Sequence, residues 1–219
     1  MEIIDIGKWD RKNSYQWFSS FRDTTYNVSA KIDVTPLVNF IKSRGLRFYE
    51  HMLYLAVRAL NAVPDMRLRI RGNDVVRYDA PQPSFTVAKD DGTFDICLTP
   101  YESDPEIFTA NVRRGIDGVR ASAVGNKELG EPDPCVYYFT CLPWLDFTAM
   151  NDPIPDDKVS QSIPRICWGK YVLNGVRYEM NLNITVSHAL VDGRQLCAAF
   201  EEIQKAVNDC EKIFKREMK

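Results

Sequence analysis

Histidine is scarce in this sequence, with two imidazoles in 219 residues. Any chemistry that needs one must use His51 or His188. Cysteine pairs of the C-x-x-C type are missing, although six cysteines (97, 135, 141, 167, 197 and 210) are scattered along the chain. That argues against a zinc ribbon or a thioredoxin-type site, and no metal is expected. Charge of one sign is also lacking. Lys+Arg 28 against Asp+Glu 30 leaves a net charge of −2, with no block of like charge. Phosphate-backbone binding needs a basic face, so nucleic acid is not an expected partner. No apolar run approaches the roughly 18 residues of a membrane span. The start, Met1-Glu2-Ile3-Ile4-Asp5, lacks the basic residues and apolar stretch of a signal peptide. The expectation is a cytoplasmic protein without membrane contact, its cysteines reduced. Neither G-x-x-x-x-G-K-[S/T] nor G-x-G-x-x-G occurs, so a phosphate-cradling glycine loop has no support.

What is there fits one domain over residues 1–219, large enough to bury roughly 70% of its unfolded surface without staples. Residues 14–21 suggest a short helix laying aromatics on the body. Residues 26–34 alternate as a strand, and Thr35-Pro36 looks like an N-cap followed by proline, with Gly45 after the helix end. A broadly apolar segment predicts a buried helix at 48–62. Hairpins are predicted at 66–79, turning near Gly72-Asn73, and at 84–89 with 93–99. A helix is predicted at 106–123, a loop at 125–134, and strands at 165–173 and 176–187 around Asn174-Gly175. In the last strand Met180, Leu182, Ile184 and Val186 point one way; Asn181, Asn183, Thr185 and Ser187 point the other. A helix from about 193 to 215 carries Leu196, Phe200, Ile203, Val207, Cys210 and Phe214 on one face. Asp192 with Gln195 resembles a capping box at its start. Helices and hairpins interspersed in this way predict an α/β fold, a mixed and mostly antiparallel sheet covered by helices in two layers.

One run carries chemistry: Val186-Ser187-His188-Ala189-Leu190-Val191-Asp192-Gly193. It puts an imidazole at a strand end and an aspartate just before a helix. A neutral imidazole can take a proton from an attacking hydroxyl. Asp192 is better placed to tie down the loop by pairing with a distant cation than to touch the ring. Alone, such a run fits a hydrogen-bonded core histidine and a helix cap at least as well.

The surroundings add to it. Trp9-Asp10-Arg11, Lys31-Ile32-Asp33-Val34-Thr35, Arg47-Phe48-Tyr49 and Pro100-Tyr101-Glu102-Ser103-Asp104 stand in order along the chain. Leu142-Pro143-Trp144, Lys170-Tyr171 and His188-Ala189-Leu190-Val191-Asp192-Gly193 follow. Over nearly its whole length the chain resembles the chloramphenicol acetyltransferases, trimeric enzymes that move acetyl from acetyl-CoA to a drug hydroxyl. The resemblance implies His188 as general base, with its other ring nitrogen held by a backbone carbonyl. It implies Thr140 as the hydroxyl that stabilises the oxyanion, where the family has serine. It implies Asp192 and Arg11 as a supporting ion pair. Coenzyme contacts fall on Arg47, Tyr49, Trp144, Lys170 and Tyr171, and acceptor contacts on Phe18, Tyr26, Phe94 and Met150. The partners implied are chloramphenicol or a similar small acceptor, acetyl-CoA, and two further copies in a homotrimer.

Departures bear on the acceptor. Ser187 replaces a family histidine, Cys167 a water-holding threonine, and Thr24 a pocket-edge cysteine. Met150 and Asp152 fall where the family has apolar residues, and a carboxylate is unfavourable in a pocket for a neutral drug. Three other readings remain at this point. One is the same transfer to a different hydroxyl or amine. Another is a dihydrolipoamide acyltransferase catalytic domain, which shares H-x-x-x-D-G. The third is a non-catalytic relative that binds CoA or a drug.

Overall fold

The computed structural model describes residues 1–122 and 134–215. In chain order the elements are β1 (Glu2–Ile3), α1 (Lys12–Ser19), β2 (Thr25–Asp33), α2 (Thr35–Lys42), α3 (Phe48–Ala62), β3 (Leu68–Arg71), β4 (Asp74–Arg77), β5 (Gln82–Ala88) and β6 (Phe94–Leu98). They continue as α4 (Pro105–Ala121), β7 (Val136–Leu142), α5 (Lys158–Gln161), β8 (Arg165–Gly169), β9 (Val172–Asn174), β10 (Arg177–Ser187), α6 (Gly193–Asn208) and α7 (Cys210–Lys215). The main sheet runs β2-β10-β8-β7-β5-β6, with β9 also on β10. Its pairs are antiparallel except β5–β7 and β7–β8. β1, β4 and β3 form a smaller antiparallel sheet. This is the mixed, mostly antiparallel α/β architecture that the alternation of elements predicts. Among the described residues no helix is long and apolar enough to cross a membrane.

The central strand explains the layering. In β10 Met180, Leu182, Ile184 and Val186 are all buried in the main apolar cluster with residues of α2, α3 and α6. The opposite set is buried too, which simple alternation does not predict. Residues 146–152 cover Asn181, Asn183 and Thr185. Asn181 Nδ2 donates to Asp146 Oδ1 at 2.7 Å, Asn183 Nδ2 to the Met150 carbonyl at 3.2 Å, and Thr185 Oγ1 to Asp152 Oδ2 at 3.1 Å. Buried polar side chains need such partners, and they pin a segment without regular structure onto the sheet.

Local expectations hold where the signal is local. α3 takes the expected range. Gly45, Gly72 and Gly175 stand at positive φ of 60–64°, where glycine alone carries no Cβ penalty. The capping expectations fail where a distant partner competes. Thr35 is inside α2, not its cap. Its hydroxyl accepts the Tyr178 N–H at 2.7 Å, and Asp33 Oδ1 accepts the Thr35 N–H at 3.0 Å. The long C-terminal helix breaks at Asp209 into α6 and α7. The first helix starts and ends two residues earlier than expected, because the Arg11 carbonyl accepts the Tyr15 N–H. Its Trp17 does not lie on the body and is 63% exposed. The loop expected at 125–134 lies outside the described residues apart from its last position.

Candidate active site

His188 follows the last residue of β10, and its backbone N–H donates to the Thr24 carbonyl at 2.7 Å. That bond extends the β10–β2 ladder by one step and fixes where the side chain leaves the sheet. The ring lies between two aromatics. Phe18 of α1 stacks on it with centroids 3.9 Å apart, and Tyr26 of β2 packs at 4.6 Å. Tyr26 Oη reaches the Val191 carbonyl at 3.3 Å, and burial pushes its hydroxyl up to about 12. His188 Nδ1 is buried, and the side chain is 33% exposed, so the exposure falls on the rest of the ring. No backbone carbonyl holds Nδ1. Asp192 Oδ1 stands 3.2 Å from it, an ion-pair contact.

Asp192 thus touches the ring, which its place in the sequence does not suggest, and it also meets the expected distant cation, Arg11. Arg11 Nε and Nη2 donate to its two oxygens at 3.0 and 2.6 Å, a bidentate pair across 181 residues. The same guanidinium donates to the carbonyls of Ala189 and His188, each at 3.2 Å. It therefore holds the backbone of the whole turn that follows the histidine. Arg11 keeps the Asp192 carboxyl below the usual carboxylate range, chiefly by its hydrogen bond. The capping box expected from Asp192 and Gln195 does not form. Asp192 makes no side-chain cap, and Gln195 Oε1 is buried without a partner among the described residues.

Beneath the histidine lies a network that no motif announces. Thr24 Oγ1 donates to Gln161 Oε1 at 3.0 Å and sits 2.8 Å from Ser187 Oγ. The amide oxygen can only accept, so Thr24 spends its proton there and Ser187 must donate to Thr24. Gln161 Nε2 closes the chain on the Arg22 carbonyl at 3.1 Å. Gln161 is 137 residues from Thr24, which is why sequence spacing gives no hint of it.

A second feature is a cleft of about 630 Å³ between α3, α4, β7 and the end of β8. Its lining includes all five residues assigned to coenzyme by resemblance: Arg47, Tyr49, Trp144, Lys170 and Tyr171. The local reasons are visible. Arg47 stands at the N-cap of α3, and its carbonyl is met by His51 Nδ1 at 2.7 Å. After β7, Leu145 N–H returns to the Leu142 carbonyl at 3.1 Å, and the Leu145 carbonyl accepts the Lys170 N–H at 2.9 Å. This turn brings Trp144 beside Lys170. It passes so close to Gly169 that a Cβ there would meet the Leu145 carbonyl oxygen at 2.6 Å. Arg120, Ile116 and Glu50 also line the cleft. They belong to helix faces and carry no motif, so the sequence does not single them out.

The remaining assigned residues are not brought to His188. Thr140 lies on β7, two strands from β10. Its register runs Thr140–Cys167–Asn183–Ser29 across the sheet, along the polar face, away from the Tyr26 face that meets the ring. Cys167 is buried, which pushes its thiol up to about 12. Phe94 is 68% exposed on β6 at the far edge. Met150 covers Asn183, and Asp152 binds Thr185. Burial raises the Asp152 carboxyl above its ordinary value. Only Phe18 and Tyr26 of the acceptor set touch the histidine.

Known proteins resemble this chain over nearly its whole length. The chloramphenicol acetyltransferase family profile matches residues 1–204. A chloramphenicol acetyltransferase of Clostridium perfringens is 28% identical over 211 residues, covering 95% of each chain. Chloramphenicol acetyltransferase 3 of Escherichia coli is 24% identical, covering 94% of this chain and 96% of its own. A solved chloramphenicol acetyltransferase superposes with a TM-score of 0.86 at 25% identity, over 94% of this chain and 99% of that one. A dihydrolipoamide acetyltransferase of Azotobacter vinelandii shares the fold at a TM-score of 0.69 and 14% identity, over 92% of this chain and 88% of its own. By the profile match over most of its length, the chain belongs to the chloramphenicol acetyltransferase family.

Proposed function

We propose that the protein transfers acetyl from acetyl-CoA to a hydroxyl of chloramphenicol or a similar small acceptor, as a homotrimer. The observation that carries the reading is the His188 turn. A partly exposed imidazole is flanked by Phe18 and Tyr26, and the guanidinium of Arg11 ties the following turn to Asp192. A rigid base next to an aromatic wall suits deprotonation of a hydroxyl on a mostly apolar molecule.

In this reading the acceptor oxygen attacks the thioester carbonyl as its proton passes to His188. The Thr140 hydroxyl donates to the resulting oxyanion. Collapse of the tetrahedral species breaks the carbon–sulfur bond, and His188 returns its proton to the departing sulfur. Arg47 and Lys170 meet phosphates at the cleft mouth, while Tyr49, Trp144 and Tyr171 line the rest. Thr140 lies away from His188 within one chain, so Thr140 is supplied by a neighbouring copy.

The test is release of free CoA thiol from acetyl-CoA, with and without chloramphenicol. Drug-dependent release that is lost in His188→Ala, with an unchanged melting temperature, is the expected result. Full activity in that variant removes the general-base role. No release, with the coenzyme still bound, moves the acceptor to a different class, starting with molecules that carry a cation for Asp152.

A further inference from the structure

Glu50 has no part in the chemistry above. It lines the same cleft as Arg47 and Lys170, yet it is only 2% exposed. Its Oε1 stands 3.4 Å from Arg113 Nε, a loose contact with a side chain that is itself 45% exposed. Its Oε2 is buried and has no hydrogen-bond partner among the described residues. A carboxylate oxygen withdrawn from water without a donor is costly.

Two other cleft residues carry orphaned polar atoms. Tyr49 Oη and Trp168 Nε1 are buried with no well-aligned hydrogen bond among the described residues, and the Cys141 thiol stands beside the indole. Their chemistry is complementary: an indole N–H only donates, a phenol does both, and a carboxylate only accepts. One acceptor beside one or two donors is what a secondary amide needs, for its N–H and its carbonyl respectively. The cations of the cleft, Arg47, Arg120 and Lys170, are all exposed. Phosphates therefore stay at the mouth. A buried carboxylate would repel them, so the inner end suits the uncharged, amide-bearing arm of the acyl carrier.

We propose that Glu50 is a specificity-determining residue for the acyl donor, its carboxylate accepting an amide N–H of the pantetheine arm. The proposal rests on the acetyl-CoA reading of the cleft. Trp168 and Tyr49 supply the matching donors to the amide carbonyl.

Calorimetric titration of the intact protein with CoA, and separately with adenosine 3′,5′-bisphosphate, tests it. The bisphosphate presents the nucleotide end without the arm. Glu50→Ala should weaken CoA about tenfold or more, the scale of one hydrogen bond to a charged group, and leave the bisphosphate unchanged. Glu50→Gln keeps an acceptor oxygen and should recover most of the CoA affinity. Trp168→Phe removes a donor while keeping the carboxylate, and should also weaken CoA alone. It serves if Glu50→Ala does not fold. CoA affinity unchanged in Glu50→Ala overturns the assignment and leaves the coenzyme reading standing. Equal loss for both ligands also overturns it, because Glu50 would then act on the nucleotide. If the unaltered protein binds neither ligand, the coenzyme reading itself falls.

Discussion

At the scale of single residues, the His188 turn depends on one guanidinium. Arg11 donates to both oxygens of Asp192 and to two backbone carbonyls of the turn. The folded Asp192 carboxyl lies below its unfolded value near 3.8. The stabilisation from the pair is therefore complete above that value and is lost as pH falls through the folded one. Arg11→Ala should lower the melting temperature at neutral pH by about 2–8 °C, given that one side of the pair is a third exposed. The gap to the parent should narrow below about pH 4. A gap that stays constant from pH 7 to pH 3 would assign the loss to the carbonyl contacts instead. The sequence made His188 legible, because strand, histidine and helix start are all local. It also showed that Asp192 needs a cation. That Nδ1 has no carbonyl partner was not legible, since ring orientation depends on Phe18 and Tyr26, far back in the chain.

At the scale of elements, turns and buried helices were readable and caps were not. Asn174-Gly175 and Gly72-Asn73 specify their hairpins through backbone conformation alone. Asp192 and Thr35 look like caps, yet each gives its side chain to a partner more than 140 residues away. Cap statistics cannot see that competition. The cleft proposed for the coenzyme divides in the same way. Arg47-Phe48-Tyr49 and Lys170-Tyr171 were legible as runs, whereas Arg120 joins them only when α3 and α4 pack and Glu50, next to Tyr49, carries no motif. Gly169 shows how tightly the cleft is assembled. In Gly169→Ala the new Cβ would sit 2.6 Å from a backbone oxygen, which cannot swing aside as a side chain can. The turn bearing Trp144 must shift. The expected outcome is a melting temperature about 2–12 °C lower, the range for overpacking. KM for acetyl-CoA should rise with kcat nearly unchanged, since in the proposed function the turn binds donor and does no chemistry. An unchanged KM would mean that Trp144 contributes nothing to donor binding.

At the scale of the whole molecule, the main sheet has two faces with different tasks. One packs on helices and forms the apolar core. The other carries the row Ser29, Asn183, Cys167 and Thr140. Beyond it, Phe94 and Leu98 on edge strand β6 are 68% and 50% exposed. The imidazole and the hydroxyl assigned to one reaction thus sit on different faces of the same chain. In the proposed function a complete site then takes His188 from one copy and Thr140 from another, and mixing two defective variants tests this directly. Each copy of His188→Ala keeps Thr140, and each copy of Thr140→Ala keeps His188. In a randomly mixed symmetric oligomer half the interfaces draw their histidine from an intact source, and half of those draw their threonine from one. About a quarter of the parental activity should return after co-refolding in equal parts, while each variant refolded alone stays inactive or slow. If both groups act within one chain, every site in the mixture carries a defect and no activity returns. That outcome would remove the shared site, and with it the reason for Thr140 to lie so far from the base.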